Sequence, residues 1–170
     1  MRVRDEVPAD APAVEAVVRD AFAGAPYSDG SEPRIVEALR RAGASAIALV
    51  AVEGAGADEA VIGHVAFSPV TIDGRPSGWH GLGPLAVRPD RQRAGIGSAL
   101  VAEGLGRLRA LGSHGCVVLG DTRYYRRFGF RHDPRLTAPG LPTEHFMVLP
   151  FGEDVPNGAV AYHPGFFVGA

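Results

Sequence analysis

The sequence contains no lysine, and all 17 of its basic residues are arginine. That absence removes the P-loop signature, which requires Gly-Lys-Ser/Thr after its second glycine. There is one cysteine, Cys116, which excludes an internal disulfide and fits a reducing compartment. No apolar run approaches the roughly eighteen residues a membrane-spanning helix needs. The opening MRVRDEVPADA carries acidic residues and lacks the apolar core of a signal peptide. A cytoplasmic location with no membrane partner is therefore expected. The six histidines form no H-x-x-x-H pair and no Cys/His cluster, so no metal is expected. A net charge of −2 gives no bulk attraction for nucleic acid.

What remains is an ordinary soluble composition, 46% hydrophobic and 21% charged, in 170 residues. It predicts one domain over residues 1–170 with a sizeable core. The arginine-only basic complement, beside abundant Ala, Gly and Pro, reads as GC-rich coding bias rather than function.

Residues Arg2 to Val7 suit a first strand. Asp10 is placed to cap a helix with Pro12 in its first turn, and Val14, Val17, Val18 and Phe22 recur at helical spacing. Ile35, Val36 and Leu39 mark a second helix ending near Gly43. Strands are expected over Ala46 to Val52, Ala60 to Val70 and, after an Asp73-Gly74 turn, about Trp79 to Val87. Their short connections imply an antiparallel meander. Gly83-Pro84 interrupts the last strand and predicts a bulge or splay there. A helix over about Gly97 to Leu111 follows, with Gly104 and Gly106 inside it. Those glycines weaken a helix, so close packing against the sheet is inferred at that point. Cys116 to Leu119 is then a strand parallel to its predecessor. Pro134 to Pro142 is a Pro/Gly-rich connection, and Phe146 to Phe151 and Ala159 to Tyr162 supply the last strands.

The densest information lies in Leu82 to Gly97, LGPLAVRPDRQRAGIG. A strand here feeds a glycine-containing turn that opens a helix. The first N–H groups of a helix lack internal partners and carry the positive end of the macrodipole, so such a turn is a ready anion site. Arg91 and Arg93 add cations. A dinucleotide fingerprint fails because Leu100 stands where its third glycine should be. The spacing that does fit is Q-x-x-G-x-G, at Gln92, Gly95 and Gly97.

With the preceding LAVRP, that loop resembles the pyrophosphate loop of the GNAT superfamily of acyl-CoA-dependent N-acetyltransferases. A second segment, VVLGDTRYYRRFGF from Val117 to Phe130, resembles the distal part of the same family. Gly63 to Phe67 (GHVAF), LGPLAV, and Val160 to Phe166 (VAYHPGF) are similar to its YhbS-like subgroup. The resemblance implies an α/β (α+β) fold: a mixed six- to seven-stranded sheet, splayed between strands 4 and 5 and flanked by about four helices.

It also implies acetyl-CoA as co-substrate, no metal, and transfer of the acetyl group to a small-molecule or peptide amine. A homodimer is possible, as in many relatives. The N–H groups of Arg93, Ala94, Gly95, Ile96, Gly97 and Ser98, with Gln92, would hold the pyrophosphate. Leu85, Ala86 and Val87 would pair with the pantetheine arm, with an N–H near Leu85 or Ala86 facing the thioester carbonyl. Tyr125 would protonate the leaving thiolate, with Tyr124 as the neighbouring alternative. Adjacent residues on a helix point about 100° apart, so only one can face the thiol. Glu32, His64 and His80 are the candidate general bases. His64 read blandly is a histidine hydrogen-bonded within the sheet, and Cys116 a small core residue. The other class of function the same loop allows is an acyl-CoA-binding regulatory module without turnover.

Overall fold

The computed structural model describes residues 1–168. Twelve regular elements follow one another: β1 (Arg2–Asp5), α1 (Ala11–Phe22), α2 (Glu32–Arg41), β2 (Ile47–Glu53), β3 (Ala60–Ile72), β4 (Arg75–Val87), α3 (Ile96–Ala110), β5 (Gly115–Leu119), α4 (Thr122–Arg126), β6 (Leu136–Thr137), β7 (Phe146–Pro150) and β8 (Gly158–Ala161). Short 3-10 turns punctuate them, the last at Pro164–Phe167. Among the described residues no helix is long and apolar enough to cross a membrane.

The strands form a mixed sheet in the order β1-β2-β3-β4-β5-β7, with β8 pairing the end of β3 and β6 pairing β8. Strands β1 to β4 are an antiparallel meander, and the β3–β4 hairpin turns at Asp73-Gly74, both at positive φ. Among the described residues only β4–β5 and the short β6–β8 pair are parallel. The sheet has eight strands rather than six or seven. The extra one, β6, is two residues long within the Pro/Gly-rich connection, where it carries no periodic signal.

Both faces of the sheet are covered. On one, Leu100, Val101, Leu105 and Leu108 of α3 pack on Leu49, Val65, Phe67, Cys116 and Val118. On the other, Val14, Val17 and Val18 of α1 and Val36 of α2 pack on Val50, Val52 and Ala86. Beside that second layer, Trp79, Val117, Val148, Val160 and Tyr162 make a further cluster. The inferred close approach of α3 is real at Gly104, where a Cβ would stand 2.1 Å from the Phe67 ring. At Gly106 the inference fails, because that position faces open space.

Asp10 precedes α1 but does not cap it through its side chain. Its carboxylate instead receives the Arg4 guanidinium at 2.8 and 3.0 Å and the Val7 N–H at 2.8 Å. A charged partner outcompetes the neutral N–H groups of the helix start, because a bidentate guanidinium bond is the stronger interaction. The Arg4 hydrogen bonds hold the Asp10 carboxyl below its ordinary range.

Candidate active site

Strands β4 and β5 run side by side from Trp79/Gly115 to Leu82/Val118 and then part. The cause lies in β4, where Gly83 and Pro84 stand opposite a single β3 residue between the Val65/Leu85 and Phe67/Leu82 pairs. That bulge turns the strand, and the proline supplies no N–H. Beyond it Leu85, Ala86 and Val87 stay paired with Val65, His64 and Gly63 of β3, while their other edge is open.

Alternation decides which groups face that opening. Arg88 N–H donates to the Ile62 carbonyl of β3 at 2.8 Å. Backbone groups of an antiparallel strand point alternately to its two neighbours. Ala86 therefore faces β3, and Leu85 and Val87 turn their N–H and C=O groups to the open edge. The sequence left Leu85 and Ala86 as alternatives for the thioester contact; of the two, only Leu85 turns its N–H to the open edge.

The chain then enters the glycine loop. Arg93 and Gly95 both adopt positive φ, 63° and 83°, and α3 begins at Ile96. Left-handed residues alternating with right-handed ones turn successive N–H groups toward one concavity. Among the described residues the six N–H groups from Arg93 to Ser98 have no hydrogen-bond partner; the first intrahelical bond is Ala99 N–H to the Gly95 carbonyl at 3.0 Å. The Gln92 side chain, expected to be part of the anion site, donates to the Val87 carbonyl at 3.0 Å and so fastens the loop to the end of β4.

Of the two loop cations, Arg91 is already committed, to Glu53 at 3.0 and 3.1 Å and to Asp90 at 2.8 Å. Arg93 has no ion pair among the described residues, and its side chain is exposed. Gly97 is where α4 meets the loop, since a Cβ there would stand 2.7 Å from the Tyr124 hydroxyl. Arg127 stacks over the Tyr124 ring at 4.3 Å and donates Nε–H to its carbonyl at 3.2 Å.

The Asp121 carboxylate caps α4 by accepting from Arg123 N–H at 2.8 Å. The cap aims the two tyrosines apart, with ring planes at 86° and centroids 5.0 Å apart. Tyr124 thus faces the loop. Tyr125 turns inward against Gly120, at the end of β5, and against Phe130. It is 9% exposed. Burial, reinforced by Tyr124 and Cys116, raises its phenol well above the ordinary range, so it holds its proton at neutral pH. Cys116 is fully buried and its thiol is likewise pushed up by burial, which makes it an inert core residue.

The three candidate bases are not brought together. His80 hydrogen-bonds Ser113 Oγ through Nδ1 at 2.7 Å, and burial lowers its pKa. It lies five residues before Leu85, or roughly 16 Å along an extended strand. Glu32 begins α2 and accepts from Ser28 Oγ at 2.7 Å. It lines a pocket of about 340 Å³ with Arg19, Phe22, Ser28 and Pro33. His64 is fully buried one strand from the opening, opposite Ala86. A larger cavity of about 400 Å³, lined by Trp79, His114 and Arg135 among others, lies by the first paired residues of β4 and β5, away from where they part.

A mixed sheet whose central parallel pair opens beside an unsatisfied helix start is the architecture of an acyltransferase of the N-acetyltransferase class. Residues 44–132 match the acetyltransferase (GNAT) domain. The chain is 38% identical to the N-acetyltransferase YhbS of Escherichia coli, over 98% of each chain. It superposes with a TM-score of 0.86 on a GNAT acetyltransferase from Brucella melitensis solved with acetyl-CoA, at 47% identity over 97% of each chain. Against the Escherichia coli YhbS structure with CoA the TM-score is also 0.86, at 35% identity, covering 99% of this chain and 93% of that one. This chain belongs to the GNAT acetyltransferase family.

Proposed function

We propose that the chain transfers the acetyl group of acetyl-CoA to a primary amine by direct attack. The observation that carries this is the run of six unspent N–H groups from Arg93 to Ser98, continuous with the open edge of β4. Each can donate to an anionic oxygen, and bonds to charged acceptors are worth about 1.5–3 kcal/mol each. A diphosphate satisfies them, and Arg93 adds a cation at the rim. The pantetheine amides then pair with Leu85 and Val87 as a further strand would. The Leu85 N–H donates to the thioester carbonyl and stabilises the oxyanion that develops there. Tyr125, protonated and beside the end of β5, supplies the proton taken by the leaving thiolate. The acetyl-CoA and CoA complexes of the Brucella melitensis and Escherichia coli relatives support the same ligand. The acceptor enters past the pocket between α1 and α2.

The test is thiol release from acetyl-CoA in the presence of a panel of primary amines. Amine-dependent release is expected. Binding of acetyl-CoA without release on any amine would instead make this site a regulatory acyl-CoA sensor. In Tyr125→Phe, turnover should fall about 10²-fold, the lower end for a lost acid, with acetyl-CoA affinity kept. Wild-type turnover in that variant would remove the acid role from Tyr125.

A further inference from the structure

On α2 and α3 arginines follow an acid by three or four residues and pair with it. Arg40 and Arg41 bond Glu37 at 2.8 and 2.7 Å, and Arg107 bonds Glu103 at 2.8 Å. Helix α4 and the turn after it break that pattern. Arg123, Arg126, Arg127 and Arg131 crowd into one short stretch, and among the described residues none of them forms an ion pair. The acids that flank the stretch are spent elsewhere. Asp121 accepts from the N–H groups of Arg123 and Tyr124 at the helix cap, and Asp133 is held by Arg135. Helical dihedrals continue through Arg127, φ −60° and ψ −26°, which puts Arg123 and Arg127 four apart on one face. Like charges at that spacing repel, and an anion held between them removes the repulsion.

These cations are not equivalent. Arg131 donates Nη1–H to the carbonyls of Arg126 and Phe130 at 3.0 and 2.7 Å, which fastens the turn after α4. Arg127 is exposed but fixed at two points, by its stack 4.3 Å over the Tyr124 ring and by its Nε–H on the Tyr124 carbonyl. Its two Nη groups make no hydrogen bond among the described residues. A guanidinium immobilised in this way is a ready fork for two phosphate oxygens. The ring beneath it ends in the hydroxyl that borders Gly97 of the loop, so the fork stands beside the free N–H groups of Arg93 to Ser98.

The loop N–H groups take the diphosphate of acetyl-CoA, and the open edge of β4 takes the pantetheine arm. Neither accounts for the coenzyme's third phosphate, the monoester on the ribose 3′ carbon next to the diphosphate. Such a monoester carries about −1.5 to −2 charge at neutral pH and three acceptor oxygens. We propose that Arg127 and Arg123 form the site for this 3′-phosphate, so that the protein selects acetyl-CoA over its 3′-dephospho form. The inference rests on the coenzyme reading of the loop given above. Arg127 supplies the fixed fork, and Arg123 supplies the second charge from the same helix face. Helix α4 then meets the coenzyme at three places: Tyr125 turns inward to the thiol end, Tyr124 borders the diphosphate, and Arg127, exposed on the Tyr124 ring, meets the ribose phosphate.

The test measures, by calorimetry, the binding of acetyl-CoA and of acetyl-3′-dephospho-CoA, which lacks that phosphate alone. Wild-type protein should bind acetyl-CoA about tenfold more tightly at low salt. The ratio should narrow as salt is added, because the site is exposed. In Arg127→Ala, affinity for acetyl-CoA should fall nearly to that of the dephospho form, whose own affinity should change little. Arg123→Ala should narrow the ratio by less, and it carries the test if Arg127→Ala does not fold. The control is Arg109→Ala. That guanidinium also stacks on an aromatic ring, 4.4 Å over Phe151, but it stands in the last turn of α3, roughly 20 Å along the helix from the loop. Its removal should leave the wild-type ratio.

Equal affinity of wild-type protein for the two ligands would overturn the 3′-phosphate site and leave the loop reading standing. So would equal losses on both ligands in Arg127→Ala, the result of a merely structural role, or a ratio that narrows as much in Arg109→Ala. Wild-type protein that binds neither ligand would overturn the coenzyme reading, and this site with it.

Discussion

The two glycines inside α3 have opposite surroundings, and alanine scanning should separate them by sign. At either position Gly→Ala favours the helix by about 1 kcal/mol. At Gly106 nothing lies within 4 Å of the new Cβ, so the gain is uncompensated. For a chain of this length 1 kcal/mol moves Tm by about 2–4 °C, and Gly106→Ala should melt higher by about that amount. At Gly104 the Cβ would lie 2.1, 2.4 and 3.1 Å from three atoms of the Phe67 ring, against an ordinary carbon contact of about 3.5–4.0 Å. Phe67 is fully buried on β3 and cannot step aside. Overpacking of this kind costs about 1–3 kcal/mol, and contacts this short put it at the upper end. The net loss is about 2 kcal/mol, or roughly 4–8 °C in Tm. Thermal unfolding followed by circular dichroism measures both variants. Acetyl-CoA affinity should fall only in Gly104→Ala, because relieving the clash moves the start of α3 and its loop. A Gly104→Ala protein melting at or above wild type would refute the claim that this contact seats the helix.

Three other expectations follow from the same geometry. Gly95→Ala meets no atoms but forces a side chain into φ +83°, which should cost about 1–2 kcal/mol and weaken acetyl-CoA binding, read by denaturant unfolding and calorimetry. Arg93→Ala should lower acetyl-CoA affinity about tenfold and flatten its salt dependence, whereas Arg91→Ala, whose guanidinium is held by Glu53 and Asp90, should change it less than about twofold. The Asp10 carboxyl is held below its ordinary pKa by Arg4, so its stabilisation is present above its unfolded value and lost as pH falls through the folded one. Asp10→Asn should therefore cost about 2 kcal/mol at neutral pH, with a shallower decline of Tm below about pH 4.

The parts of the fold that could be read in advance are those with a local cause. The α3 stripe of Val101, Leu105 and Leu108 repeats at helical spacing, and Gly83-Pro84 breaks a strand by its own chemistry, so the helix and the parting of β4 from β5 were both legible. Asp10 was not, because its partner Arg4 reaches it through tertiary packing and overrides a sound capping signal. Strand β6 was hidden because two residues carry no period, and its pairing is decided by β8. At the site, the loop N–H groups follow from the QRAGIG spacing read together with the strand before it and the helix after it. The division of labour between Arg91 and Arg93 does not, since it depends on Glu53, 38 residues earlier in the chain. His64 showed the same limit. GHVAF marks it as a buried strand residue, but the approach of Glu6, 58 positions earlier, to within 3.3 Å of its Nδ1 is decided by tertiary packing.

The central claim, that the start of α3 receives the diphosphate of acetyl-CoA, is tested most directly by amide resonances of ¹⁵N-labelled protein titrated with acetyl-CoA and with S-acetylpantetheine, which lacks the diphosphate. Acetyl-CoA should shift the amides of Arg93 to Ser98 most strongly and protect them from exchange. S-acetylpantetheine should reach Leu85 and Val87 and leave the loop amides in place. Loop amides that do not respond to acetyl-CoA, with the largest shifts instead around Trp79 and His114 or around Ser28 and Glu32, would contradict the account.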